Sequence, residues 1–283
     1  MELELTAEER ESGMPSPATV AAGVAAIRDD GYVVLKNVVS LEHLDILHER
    51  MRTDLATILA RPDAPYQFNK GNVQQDPPPF PPFLFRDILV NEYVIGISRE
   101  VLGPGLKNNF YSGNTALPGG TRQPVHPDSA QLWDGLEVAT PAYGLVVNVP
   151  VVSMSPHNGS TEFWPGTHLD TRYSIHQGSP RVAEEHLEEW RRKRPPFQPV
   201  VERGSAIVRD IRMWHAGMPN LSTQPRPMLA MIHYAGWWNE EGKIAFPQSA
   251  RPFLEHKLLR TMAAFTDGEV DYLHHHGAYD LEK

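Results

Sequence analysis

The chain has 283 residues, no cysteine and a formal net charge of −9. Without cysteine, disulfides, thiolate metal ligands and a cysteine nucleophile are excluded, and the acidic balance argues against the basic footprint of a nucleic-acid binder. No run approaches the roughly eighteen apolar residues of a membrane helix, and the acidic N-terminus has no signal-peptide character, so a cytoplasmic protein without membrane or nucleic-acid partners is expected.

Residues 18–29 predict a helix ended by Gly31, and a short apolar strand follows at 32–35. Across 41–60, Leu44, Leu47, Met51, Leu55, Ile58 and Leu59 recur at helical spacing and predict an amphipathic helix. The stretch 65–83, PYQFNKGNVQQDPPPFPPF, is dense in proline and reads as an irregular loop folded against the body, because proline removes a backbone donor. A third helix is expected over 87–102, closed by Gly103-Pro104-Gly105. Short β-type runs follow at 109–115, 143–152, 162–164, 206–209 and 228–234, separated by turn signals such as Pro118-Gly119-Gly120 and His157-Asn158-Gly159. One Glu- and Arg-rich helix, 182–192, interrupts them, its charges reading as a solvated face. This texture predicts a sandwich or barrel with helices packed outside.

With 13 histidines in the chain, metal binding would rest on nitrogen and oxygen donors. In Gln123-Pro-Val-His126-Pro-Asp128 a histidine and a carboxylate stand two residues apart, and in an extended chain they point to the same side. His215, in Met213-Trp-His-Ala-Gly217, offers a second imidazole from a distant strand. Two imidazoles and one carboxylate on one face of an ion leave its opposite face open. A lone His-x-Asp is weak evidence, since most such pairs are structural. Arg226, eleven residues beyond His215, sharpens it. Flanking prolines hold the arginine extended, and a guanidinium deep in a barrel pairs with a carboxylate in bidentate fashion.

These segments, with Asn158-Gly-Ser-Thr161 through His168, Gly204 through Asp210 and Trp214 through Ser222, resemble the phytanoyl-CoA dioxygenase-like branch of the iron(II)/2-oxoglutarate oxygenases. The resemblance implies a mainly β chain with surrounding helices, built on a double-stranded β-helix (jelly-roll, cupin-like) core. It implies one domain over 1–283: a mostly helical part at 1–105, the barrel at 106–238 and a C-terminal extension at 239–283. His126, Asp128 and His215 would hold Fe(II). Gln123 and Thr161 would bond the 2-oxoglutarate co-substrate, Arg226 would clamp its distal carboxylate, and O2 would complete the reaction. A carboxylate at Asp128 argues against halogenation, which in relatives goes with a small residue there. The expected partner is a small-molecule substrate, an aminoglycoside-like or other specialised metabolite; the oligomeric state is not legible.

Other residues have competing readings. Thr161 follows a turn, so its hydroxyl could cap local backbone instead. Asn72 and Gln74 in the proline-rich stretch, and Trp133 just beyond Asp128, are candidate substrate contacts. His233, in an apolar strand, reads as a satisfied core histidine, and His274-His275-His276 as a solvated tail. Two other functions stay open: a zinc hydrolase on a cupin-like barrel, which leaves Arg226 and Gln123 without work, and a catalytically silent binder.

Overall fold

The computed structural model describes residues 1–177, 181–239 and 241–279. In chain order the elements are β1 (Glu2–Glu4), α1 (Ala7–Ser12), α2 (Pro17–Asp30), β2 (Tyr32–Lys36), α3 (Leu41–Leu59), β3 (Tyr66–Gln67), β4 (Asn69–Gln74), α4 (Arg86–Leu89) and α5 (Glu92–Leu102). Then come β5 (Leu106–Ala116), β6 (Gly144–Pro150), β7 (Glu162–Phe163), α6 (Glu184–Lys193), β8 (Ala206–Asp210), β9 (His215–Ala216) and β10 (Arg226–Tyr234). The last are β11 (Ile244–Pro247), α7 (Arg251–Leu254), β12 (Leu259–Thr261) and β13 (Ala263–Thr266).

Local chemistry sets the helix ends. Ser16 caps α2 by accepting from Thr19 N, Pro17 occupies its first turn, and Gly31 ends it at φ 85°. The single helix expected over 87–102 is two. Asn91 leaves helical geometry and its side chain accepts from Tyr93 N and Val94 N, so it caps α5 and separates that helix from α4. The stretch expected to be irregular is also corrected, because β3 and β4 occupy 66–74. Its crowded prolines begin only at Pro77, so the residues before them keep the donors that a ladder needs.

The strands form one mixed sheet of order β1-β2-β8-β6-β10-β5-β4-β3, with β12 pairing parallel to β5. Two short pairs stand outside it, antiparallel β7-β9 and parallel β11-β13. Alternation divides the sheet's residues between two environments. Leu145, Val147 and Val149 of β6, Val208 of β8, and Leu229 and Met231 of β10 join the main core, with Ile27 of α2, Leu44, Leu47 and Met51 of α3, and Ile95 and Ile97 of α5. Their neighbours Val146, Asn148, Arg209, Met228, Ala230 and Ile232 line a cavity on the other face. One face holds the fold together; the other is free to carry chemistry.

The C-terminal region closes on this body, with Phe246 of β11 buried in the main core and β12 extending the sheet. Gly113 marks a tight approach between neighbouring strands. A Cβ there would stand 2.4 Å from Met228 O and 3.1 Å from Gln75 O, both backbone atoms that cannot swing aside. Gly113→Ala should therefore cost about 1–3 kcal/mol, read as a lower urea midpoint.

Candidate metal centre and its cavity

His126 and His215 are brought together by backbone: each donates its N–H to the other's carbonyl, at 3.0 and 2.9 Å. This bridge sets the rings side by side, 4.5 Å between centroids. Each Nδ1 faces a carbonyl two residues upstream, Pro124 O at 2.8 Å for His126 and Met213 O at 3.1 Å for His215. A ring nitrogen facing a carbonyl must carry the proton, which leaves both Nε2 lone pairs for an ion. Asp128, two residues along the extended segment, places Oδ1 3.5 Å from His215 Nε2. The three donor atoms lie within 4.8 Å of one another.

Electrostatics prepare the donors. Burial, then the charge of Arg209, pushes His215 down to about 3, so its imidazole is neutral at physiological pH. Burial also lowers His126. For Asp128 burial acts upward, but Arg209, His215 and His126 outweigh it and hold the carboxyl well below the usual range. Two neutral imidazoles and an ionised carboxylate are the donor set of a divalent non-haem iron site.

Phe68 presses on the centre, its ring 4.6 Å from that of His126. It is a non-glycine residue at φ 62°, in the left-handed region. Such backbone is retained where the surroundings enforce it, often at functional sites.

The cavity beside the triad has a volume of about 650 Å³. Arg226 opens β10 and is 4 % exposed, so it is no surface arginine. Its Nη2 donates to Gly159 O at 2.8 Å, while Nε and Nη1 have no hydrogen-bond partner among the described residues. Burial alone lowers it, to about 10, which leaves it charged at neutral pH. A buried guanidinium with two free donors fits a bound carboxylate. Gln123 ties the two ligand segments: its N–H donates to Gly217 O at 2.8 Å, and its Oε1 accepts from Gly217 N at 2.8 Å. Gln123 and Thr161 both line the cavity, as do Asn72 and Gln74. The Thr161 hydroxyl makes no hydrogen bond to local backbone among the described residues.

Trp133 lies elsewhere: it is 57 % exposed and outside the cavity lining, where Trp238 stands beside Tyr143 and Tyr234. His233 is buried with Nδ1 2.9 Å from Ser98 Oγ, a core histidine with a partner. Arg209, Asn148 and Asn114 are cavity residues that the sequence reading missed. A signal for Arg209 was present: an arginine at an inward position of the apolar run Ala206–Asp210.

The solvated tail expected at 274–276 is corrected in part: the side chains of His274 and His275 are 56 % and 65 % exposed, but the tract is anchored. His275 Nδ1 and His276 Nε2 each stand 2.8 Å from a different oxygen of Asp76, itself 6 % exposed. Arg61 donates to the carbonyls of Leu273 and His276. Tyr279 N donates to Tyr66 O, and Phe68 N to Tyr279 O. The segment thus docks on β3, and His276 through Tyr279 wall the cavity. Donors sharing one ion at about 2.1 Å stand roughly 3.0–3.4 Å apart, so the 2.8 Å contacts to Asp76 are those of a hydrogen-bonded latch. In Asp76→Asn, Tyr279 N–H should exchange with solvent about tenfold faster, the loss of one charged hydrogen bond. The bond to Asp76 raises His275. Its contribution is complete below the ordinary imidazole value and is lost as pH rises through the raised one, so the protection factor of Tyr279 N–H should fall across that range.

The fold, the convergent triad and the buried arginine agree with the resemblance that the sequence carries. The phytanoyl-CoA dioxygenase (PhyH) family model matches residues 27–228, and the chain belongs to that family. Dioxygenase af480 of Aspergillus fumigatus is 24 % identical over 220 residues, which cover 75 % of this chain and 65 % of that protein's length. Two solved structures share the fold. The non-heme alpha-ketoglutarate-dependent epimerase SnoN from nogalamycin biosynthesis has a TM-score of 0.60 at 15 % identity, covering 78 % of this chain and 84 % of that one. EctD from S. alaskensis, in its apo form, has a TM-score of 0.53 at 22 % identity, covering 76 % of each. SnoN has also been solved with Fe3+, alpha-ketoglutarate and nogalamycin RO.

Proposed function

We propose that the chain is an iron(II)- and 2-oxoglutarate-dependent dioxygenase, on a double-stranded β-helix core, that oxidises a C–H bond of a small specialised metabolite. The single observation that carries the reading is Arg226, buried and charged with two donors unpaired in the same cavity as the triad. A zinc hydrolase has no use for that group. His126, Asp128 and His215 hold the metal. Arg226 receives the distal carboxylate of the co-substrate, and Gln123 and Thr161 offer further hydrogen bonds beside it. When bound, iron(II) with 2-oxoglutarate supplies dioxygen activation coupled to decarboxylation, which yields succinate, carbon dioxide and an oxidised substrate. The protein's own work is positioning and exclusion of water, done by Phe68 against His126 and by the docked segment His276–Tyr279.

Two things support a specialised metabolite. Segments Val73–Pro78, Tyr111–Asn114 and Pro225–Met231 resemble kanamycin B dioxygenase, which favours an aminoglycoside-like compound. Away from the triad, the cavity lining is rich in carboxamides, Gln67, Asn72, Gln74 and Asn114, which bond the hydroxyl and ring oxygens of sugar-like molecules. Succinate release across a metabolite panel tests the proposal: stimulation by an oxygen-rich small molecule is the expected result, and hydrolysis of a panel member without iron or 2-oxoglutarate would overturn it.

A further inference from the structure

The two oxygens of Asp128 have different neighbours. Oδ1 faces His215 Nε2 at 3.5 Å, and Oδ2 accepts from Arg209 Nη2 at 2.5 Å. Arg209 is 5 % exposed on β8 between β2 and β6, and its Nε donates to Asn148 Oδ1 at 3.3 Å. Its Nη1 has no protein partner. The guanidinium is therefore held from one side by Asn148 and spends one donor on the oxygen turned away from His215.

We propose that Arg209 is a positioning residue that keeps Asp128 a one-oxygen ligand by occupying Oδ2, so that three positions of the ion stay open. The inference rests on the iron and 2-oxoglutarate reading above. The reason is a count of sites. An octahedral ion with two imidazoles and one carboxylate oxygen has three positions left, enough for a chelating oxo-acid and dioxygen. If both carboxylate oxygens bound, two positions would remain and the chelate would exclude dioxygen. Carboxylates bind metal ions through one or both oxygens, so something must decide, and here it is the partner of Oδ2. A counter-charge serving only the fold would need no contact with that particular oxygen.

The test uses the full chain with Arg209→Leu, Arg209→Lys and, should leucine prevent folding, Arg209→Gln. Cobalt(II) alone reports coordination through its visible spectrum, and 2-oxoglutarate is titrated into the iron(II)-loaded protein under argon. The leucine variant should bind cobalt(II) with an altered spectrum and about 10- to 100-fold more weakly, the usual loss when a ligand's partner is removed, while 2-oxoglutarate, which needs only two positions, should still bind. Lysine, which keeps one charged donor, should recover most of both. An unchanged cobalt(II) spectrum with unchanged cobalt(II) affinity in the leucine or glutamine variant overturns the role of Arg209. If the wild-type chain binds cobalt(II) but never responds to 2-oxoglutarate, the oxygenase reading falls instead, and the cobalt(II) spectra still decide what Arg209 does to Asp128.

Discussion

His126→Ala, His215→Ala and Asp128→Asn should each reduce 2-oxoglutarate-dependent succinate formation to background while the chain stays folded. The fold survives because the link between the ligand segments is made by backbone, through the paired N–H to carbonyl bonds of 126 and 215. Neither imidazole carries a charge whose loss would strand a partner, since burial keeps both neutral. Asparagine is the better replacement at 128, because its amide oxygen can still accept from the buried Arg209, whereas alanine would leave that donor with nothing. Loss of turnover in all three, with the urea midpoint held in the histidine variants and lowered in Asp128→Asn by the lost counter-charge of Arg209, is the expected result on the same preparations. Full turnover in any one of the three would show that its side chain does not hold the metal.

Arg226→Met should separate binding from folding in the opposite way. Among the described residues its guanidinium bonds only Gly159 O, so the apo fold carries a buried charge with two unpaired donors. Replacing such a group with an apolar chain of similar reach is neutral or stabilising for the empty protein. Toward 2-oxoglutarate the effect is a loss, because a buried bidentate ion pair can no longer form. Breaking a pair of this kind costs about 3–5 kcal/mol, which at about 1.4 kcal/mol per factor of ten is roughly a hundred- to a few-thousandfold in affinity. The expected signature is an equal or higher urea midpoint for the apo variant with a KM for 2-oxoglutarate raised by about two orders of magnitude. A lower midpoint with an unchanged KM would make Arg226 a structural residue.

The candidate metal centre is more legible in the sequence than the cavity around it. Spacing alone suggested that His126 and Asp128 share a side, because strand periodicity is local. That His215 joins them depends on a pairing between residues 89 positions apart, and only the arginine downstream gave it weight. The helices at α2 and α3 were readable from caps and periodicity, whereas Asn91 broke a third because a cap and an interior polar residue look alike in one dimension. The proline-rich stretch misled by average composition: its prolines crowd one end and leave β4 intact at the other. The histidine tract misled because its partner, Asp76, stands some two hundred residues earlier in sequence. Trp133 was chosen for its nearness to Asp128 in the chain, but the loop turns it outward, and Trp238 walls the cavity instead.

One titration bears most directly on the whole account: 2-oxoglutarate added under argon to the iron(II)-loaded chain, followed by visible absorption. A single new band is expected, saturating at one equivalent per chain, absent in Asp128→Asn and shifted to far higher concentration in Arg226→Met. No band in the wild type, or a band that persists undiminished in Asp128→Asn, would contradict the assignment of this cavity to iron and 2-oxoglutarate.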